Sequence, residues 1–206
     1  MKKLILSTML FLGLVACNQT NTENKTENNN NMKEATNKTF QPVDPKTIQE
    51  NAIQLFGDKW ALVTAGDSSS FNMMTISWGT MGVLWNKPVV FVFIRPQRYT
   101  FGFMEKHDEF TLSFFTEEYR EALNICGTVS GRNVNKVDST GLTPRFTKNG
   151  NVAFEEAYMI LECKKLYTEF LDPKAFTDTT LVNKIYKAGD FHKVYVAEIV
   201  NAWEKK

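Results

Sequence analysis

The chain has 206 residues, 43% of them hydrophobic, and a formal net charge of +1. That balance leaves no global basic field for nucleic acid. Three cysteines are too few for a disulfide framework, and the two histidines, His107 and His192, are too far apart in sequence to form a zinc pattern.

The N-terminus carries a short basic start, Lys2-Lys3, and an apolar run from Leu4 to Leu14 that is too short to span a bilayer as a mature helix. Leu14-Val15-Ala16-Cys17 follows and looks like a bacterial lipobox. On that reading residues 1–16 are a signal peptide, cleavage falls before Cys17, and its thiol carries lipid. An ordinary secretory signal with an incidental cysteine is the other reading of the same small residues. Residues 17–39 hold the cysteine and then an Asn/Thr-rich stretch with no aromatic residue and no Val, Ile or Leu. Such a segment cannot bury enough apolar surface to offset its ordering entropy, so a disordered tether is expected. It would hold a domain at residues 40–206 clear of a membrane in the cell envelope, attached through the lipid alone.

Within that domain, Asp44-Pro45 predicts the start of a helix with Ile48, Ala52, Ile53 and Phe56 on one face and Gly57 as its stop. Trp60 to Thr64 predicts a strand, with Gly66-Asp67-Ser68-Ser69-Ser70 as its turn. Asn72-Met73-Met74-Thr75-Ile76-Ser77-Trp78 is expected as a polar turn that offers backbone and hydroxyl groups. Its other reading is a strand through Thr75 and Ile76, with Met73, Met74 and Trp78 in the core. Val89 to Ile94 is wholly apolar and predicts a strand covered on both sides, inside a barrel and against a helix or a partner subunit.

Pro96 ends that strand, and Arg95, Arg98, Tyr99 and Thr100 open a helix to Lys106 with Thr100 near its N-cap. Free N–H groups and guanidinium donors there suit a phosphate; a solvated strand end with two stray arginines is the plainer reading. Phe110 to Phe114 alternates as a half-buried strand. Thr116 starts a helix whose buried stripe is Tyr119, Ala122, Leu123 and Cys126, ended by Gly127. Later strands are expected over Ala157–Tyr167 and His192–Val200. Cys126 and Cys163 have the option of pairing in an oxidising compartment, although a core position explains Cys126. Many short strands with few helices predict an α+β, mainly antiparallel, closed barrel. No dinucleotide fingerprint, nucleophile elbow or metal pattern occurs, so hard chemistry would fall to a bound cofactor.

Four stretches, in order, resemble the flavin reductase-like, FMN-binding split-barrel family that includes flavoredoxins. They are Asn72 to Trp78; Lys87-Pro88 through Thr100; Cys126-Gly127-Thr128-Val129-Ser130-Gly131-Arg132-Asn133-Val134-Asn135-Lys136; and Gly189-Asp190-Phe191-His192. The resemblance spans about Ile48 to Trp203. It implies a six-stranded Greek-key split β-barrel with flanking helices, FMN as cofactor, and a homodimer with the flavin at the subunit interface. It places the flavin ring along Asn72, Met73, Met74, Thr75, Ser77 and Trp78, and the phosphate at Arg95, Arg98, Tyr99 and Thr100. In the third stretch, Ser130, Gly131, Arg132 and Lys136 would bring their basic groups to the cofactor or the partner, with a solvated loop as the other reading of Arg132. His192 would lie near the ring or substrate, or be a satisfied structural histidine.

The implied reaction is transfer of electrons from NAD(P)H through FMN to an unidentified acceptor, with no protein side chain as catalyst. Reduced nicotinamides are cytoplasmic, so an envelope location implies either a donor other than a nicotinamide or a flavin-bearing carrier fed by a membrane redox partner. A non-catalytic envelope lipoprotein that uses the barrel to bind another ligand is the contrasting reading.

Overall fold

Seven strands in an unbroken path make most of the fold in this computed structural model, which describes residues 39–206. The path begins with β3 (Phe71–Ile76), β2 (Ala61–Gly66), β6 (Glu109–Phe114) and β9 (Met159–Phe170). It continues through β10 (Lys193–Lys205), β5 (Lys87–Ile94) and β4 (Gly79–Leu84), with every ladder antiparallel. A short β1 (Phe40–Pro42) pairs with the far end of β10, and β7 (Pro144–Phe146) forms a separate hairpin with β8 (Val152–Phe154). The sheet curls into a barrel whose two terminal strands, β3 and β4, share no ladder among the described residues. Only Ser77 and Trp78 join them. The fold is α+β and mainly antiparallel, a split barrel with more strands than the six expected.

Helices are short: α1 (Ala52–Gln54), α2 (Tyr99–Lys106), α3 (Arg120–Thr128), α4 (Lys136–Thr140) and α5 (Thr179–Ile185). Both faces of the central strands are covered, and neighbouring residues go to different cores as the strand period of two requires. Val63 and Met74 enter a cluster inside the barrel with Val90, Val92, Leu112 and Leu161. Leu62 and Met73 enter a second cluster with Leu123, Cys126, Phe154 and Ile160, beneath α3 and the β7–β8 hairpin. Burial of each large side chain contributes roughly 1.5–3 kcal/mol.

Several expectations need correction. The helix expected after Asp44 breaks up. A single 3-10 turn at Pro45–Thr47 is followed by extended backbone at Ile48. Asn51 then caps α1, its Oδ1 accepting from the N–H of Ile53 and of Gln54. A wide π-type turn, Leu55–Lys59, takes over, so Leu55 and Phe56 are buried while Ile53 is 84% exposed. Gly57 lies inside this turn and does not close a helix. Asn72 to Ile76 is strand rather than turn, held in register by β2; the turn is Ser77-Trp78 alone. β4 was not expected at all. It pairs with β5 across a two-residue hairpin in which Trp85 and Asn86 both have positive φ, 50° and 58°, the mark of a type I′ turn.

β6 is buried on both faces. The β7–β8 hairpin covers its outer side, where the Thr111 hydroxyl donates to Val152 O at 2.5 Å. In β5, Val89, Val90, Val92 and Ile94 are buried, but Phe91 and Phe93 are only half covered by this chain. Gly127 sits within α3, packed against Thr75, and the helix runs one residue further. Cys126 and Cys163 are both free and buried, in different clusters. The signal peptide, Cys17 and the tether lie outside the described residues. Among the described residues no helix is long and apolar enough to cross a membrane.

Candidate functional site

The unladdered edge between β3 and β4 leaves an opening, and a cavity of about 350 Å³ lies there. Its walls are Met74 to Trp78, Phe93 on β5, the post-strand residues Arg95, Gln97 and Arg98, and His192 at the approach to β10. Trp78 is 47% exposed, and its ring is 5.0 Å from the imidazole of His192 at 44°. Trp78 and Phe93 beside the polar groups of Thr75, Ser77, Gln97 and His192 suit a flat heteroaromatic ligand with polar edges.

A smaller cavity of about 150 Å³ adjoins it, sharing Met74, Gln97 and Arg98. The start of α2 forms one side, because Pro96 ends the β5 ladder and Arg98 takes the extended N-cap position. The first N–H groups of α2, at Tyr99 and Thr100, have no intrahelical partner. Thr100 is buried at the second position, not at the cap itself. Its Oγ1 accepts from Asn72 Nδ2 at 2.6 Å, which leaves the Thr100 hydroxyl proton free to donate. The 128–131 segment forms the other side. Gly131 is required there: a Cβ would come within 2.1 Å of Asn72 Oδ1 and 3.0 Å of the Tyr99 ring.

Positive charge gathers around this small cavity. Lys136 is 6% exposed, yet its ammonium donates to Met73 O and Cys126 O, each at 2.8 Å. Burial lowers its pKa from the ordinary lysine value. Arg98 donates to Gly127 O at 2.5 Å, and burial followed by the neighbouring Arg95 charge lowers its pKa too. Arg132 lies over the Tyr99 ring at 4.8 Å. Among the described residues, no carboxylate pairs with Arg98, Arg132 or Lys136. Arg95 differs: it forms an ion pair with Asp190 and donates to Ile185 O at 3.1 Å.

The residues expected at the site are therefore divided. Asn72, Met74, Arg98, Tyr99, Thr100, Ser130 and Lys136 line the small cavity. Thr75, Ser77, Trp78, Arg95 and His192 line the larger one, again with Met74 and Arg98. Met73 points its side chain into the second core and contributes its carbonyl to Lys136. Thr75 gives its hydroxyl proton to Leu123 O at 2.6 Å, tying β3 to α3. Arg95 belongs to the ring-sized cavity, with its guanidinium engaged by the 185–190 loop. Sequence reasoning missed Phe93, Gln97, Tyr186 and Asp190. Gln97 lies inside the stretch Arg95 to Thr100, where the charged neighbours drew attention from it.

Residues 53–206 match the family model for the flavin reductase like domain. That span is most of the chain, and the chain belongs to this family. Comparison with curated proteins finds no match. Among solved structures, the FMN-binding protein of Thermus thermophilus with bound 1-cyclohex-2-enone is 23% identical, covers 80% of this chain and 77% of its own, and superposes with a TM-score of 0.57. Flavoredoxin from Methanosarcina acetivorans is 21% identical over 72% of this chain and 69% of its own, with a TM-score of 0.55. The NADH:FAD oxidoreductase of Streptomyces globisporus C-1027 is 18% identical over 74% and 82%, with a TM-score of 0.55. These likenesses establish a shared split-barrel fold.

His192 is buried, and its pKa falls to about 4, chiefly from burial and then from the nearby Arg95 charge. The unfolded chain takes up this proton first, so stability tied to the neutral ring is complete above about pH 6.5 and declines as pH falls toward 4. The full linkage would be about 3 kcal/mol, which the open side of the cavity reduces to roughly 1–2 kcal/mol. Wild type should thus lose that much stability relative to His192→Gln between pH 7.5 and pH 4 in denaturant titrations. A gap that stays constant or moves in favour of wild type would contradict the assignment.

Proposed function

We propose that this chain is an FMN-binding flavoprotein whose two adjoining cavities take the two ends of one cofactor. The observation that carries the reading is a small cavity lined by Arg98 and Lys136, neither paired with a carboxylate among the described residues, which shares a wall with the larger cavity holding Trp78 and Phe93 at the barrel split. The donor set fits a phosphate: Arg98, the third N–H of Lys136, the Thr100 hydroxyl and the first N–H groups of α2 converge there. Gly131 keeps the cradle open. The flat ring would lie along Met74 to Trp78, against Phe93 and beside His192. Two of the structural neighbours are described as an FMN-binding protein and a flavoredoxin, in keeping with this choice.

When bound, the flavin supplies redox chemistry that no side chain here offers. The protein's part is to bind and orient. With the flavin bound, the β3 backbone would meet the ring, Trp78 and Phe93 would flank it, and Arg98 and Lys136 would hold the phosphate. The redox role is that of a flavin reductase-like oxidoreductase or an electron carrier. One neighbour is described as an NADH:FAD oxidoreductase, which favours a reduced nicotinamide as donor. The lipobox-like Leu14-Val15-Ala16-Cys17 favours a lipid-anchored envelope protein supplied by a membrane redox partner. Half-covered Phe91 and Phe93 and exposed Trp78 favour a homodimer that closes over the ring.

Replacement of Arg98 by Ala should weaken FMN roughly 10- to 100-fold, the worth of one charge-assisted hydrogen bond, while riboflavin binding changes little. Arg95→Ala should leave the FMN-to-riboflavin ratio near that of wild type. Equal loss of both ligands in Arg98→Ala would overturn the phosphate assignment. For the anchor, a radiolabelled fatty acid should mark the wild-type chain and not Cys17→Ala; label retained by the variant would refute lipidation at that thiol.

A further inference from the structure

We infer that Tyr186 sets the tautomer of His192, so that the imidazole presents a neutral Nε2–H to the ring cavity as a fixed hydrogen-bond donor. The ligand group it would meet is an acceptor oxygen or nitrogen on the edge of a planar ring. The inference deepens the flavin reading and rests on it only for the identity of that ring.

The Tyr186 hydroxyl is 2.8 Å from Nδ1 of His192. A phenol is a stronger acid than a neutral imidazole N–H, and an imidazole nitrogen is a stronger base than a phenol oxygen. The hydroxyl therefore donates and Nδ1 accepts, which leaves the ring proton on Nε2. Burial favours the protonated phenol and the uncharged imidazole alike. Among the described residues Nε2 has no hydrogen-bond partner, and it is not fully buried. It keeps some accessible surface, on a side chain that lines the cavity beside Trp78 and Phe93.

The loop between β9 and β10 is built to hold this pair in place. Phe191 stacks on Tyr186 with centroids 4.6 Å apart and planes 21° apart, and Phe176 closes on both rings. Arg95 lies 5.4 Å from the Tyr186 ring, grips Ile185 O and pairs with Asp190, to which Gln97 also donates at 2.5 Å. Gly189, with φ of +70°, turns the chain so that its N–H reaches Tyr186 O at 2.9 Å. Leu171 N–H donates to His192 O at 2.9 Å and closes the base of the loop. Tyr186, Arg95 and Asp190 are thus positioning residues. They act on the ligand through His192, and this places Arg95 in a role other than phosphate binding. His192 then serves as a neutral donor and not as the proton source for the reaction.

The chain has two histidines, so long-range proton–nitrogen correlation spectra of the full chain labelled with nitrogen-15 histidine can resolve His192, with His107→Gln to assign it. The expected spectrum near pH 7 shows a bonded proton on Nε2 and a bare Nδ1, before and after FMN is added. Tyr186→Phe should mix the tautomers and lower FMN affinity several-fold. His192→Gln, which keeps an N–H near the Nε2 position, should retain most of the affinity that His192→Leu loses. The Nε2 signal should shift on addition of FMN if the flavin is the acceptor, or only on further addition of reduced nicotinamide if the donor is. A proton on Nδ1, or no shift of Nε2 in a chain shown by flavin absorbance to have bound FMN, with or without reduced nicotinamide, would overturn the inference. Failure of FMN to bind while the Nε2–H signal persists would instead refute the cofactor reading, and the tautomer assignment would stand.

Discussion

Lys136 buries an ammonium group between the carbonyls of Met73 and Cys126, and no carboxylate among the described residues neutralises it. The contact ties β3 to the end of α3 and fixes the distance across which a ligand must fit. A buried cation with only carbonyl partners costs stability, because the dipoles recover only part of its lost hydration. Arg98 adds a second half-buried charge held by a single carbonyl. Two such groups beside a helix start make a site whose electrostatic demand is unmet by the described protein groups alone. A phosphate bound there, as proposed, would supply the missing charge and couple the fold energetically to the ligand.

The rest of the site follows from where the barrel fails to close. With only Ser77 and Trp78 between them, β3 and β4 diverge, and the edge groups of β3 face a cavity in place of another strand. The β5 strand brings Phe93 to one side of that opening, and the chain after Pro96 turns at once into α2. The two cavities therefore adjoin through Gln97 and Arg98, with the long β6–β7 connection supplying residues 128–131 and Lys136 on the far side of the smaller one. The connection between β9 and β10 has a different task. It is latched by Arg95 and carries Tyr186 and His192 to the cavity rim.

Much of this was legible in the sequence. The apolar run Val89 to Ile94, its stop at Pro96 and the helix after it fell where expected, because proline chemistry is local. The stripe Ala122, Leu123 and Cys126 was also correct, since a helix repeats its apolar side at fixed spacing. Less was legible where distant segments decide the outcome. Thr111 and Ser113 read as solvent-facing, but the β7–β8 hairpin covers them. The Asn72 to Ile76 segment looked like a turn because its polar groups find partners far along the chain, in Thr100 and Leu123. Arg95 and Arg98 look equivalent in sequence. Only the fold shows that Asp190 engages the first and that the second has no acidic partner among the described residues. Ile53 was misassigned because Asn51 restarts the chain in a new register, a capping effect that periodicity does not reveal.

The most direct test of the central claim is a calorimetric titration of the purified chain with FMN and, separately, with riboflavin, at low and at moderate salt. The account predicts saturation at one FMN per chain, a preference for FMN over riboflavin of at least about tenfold, and a preference that narrows as salt screens the phosphate. Absence of stoichiometric binding, or equal affinity for the two ligands at every salt concentration, would contradict it.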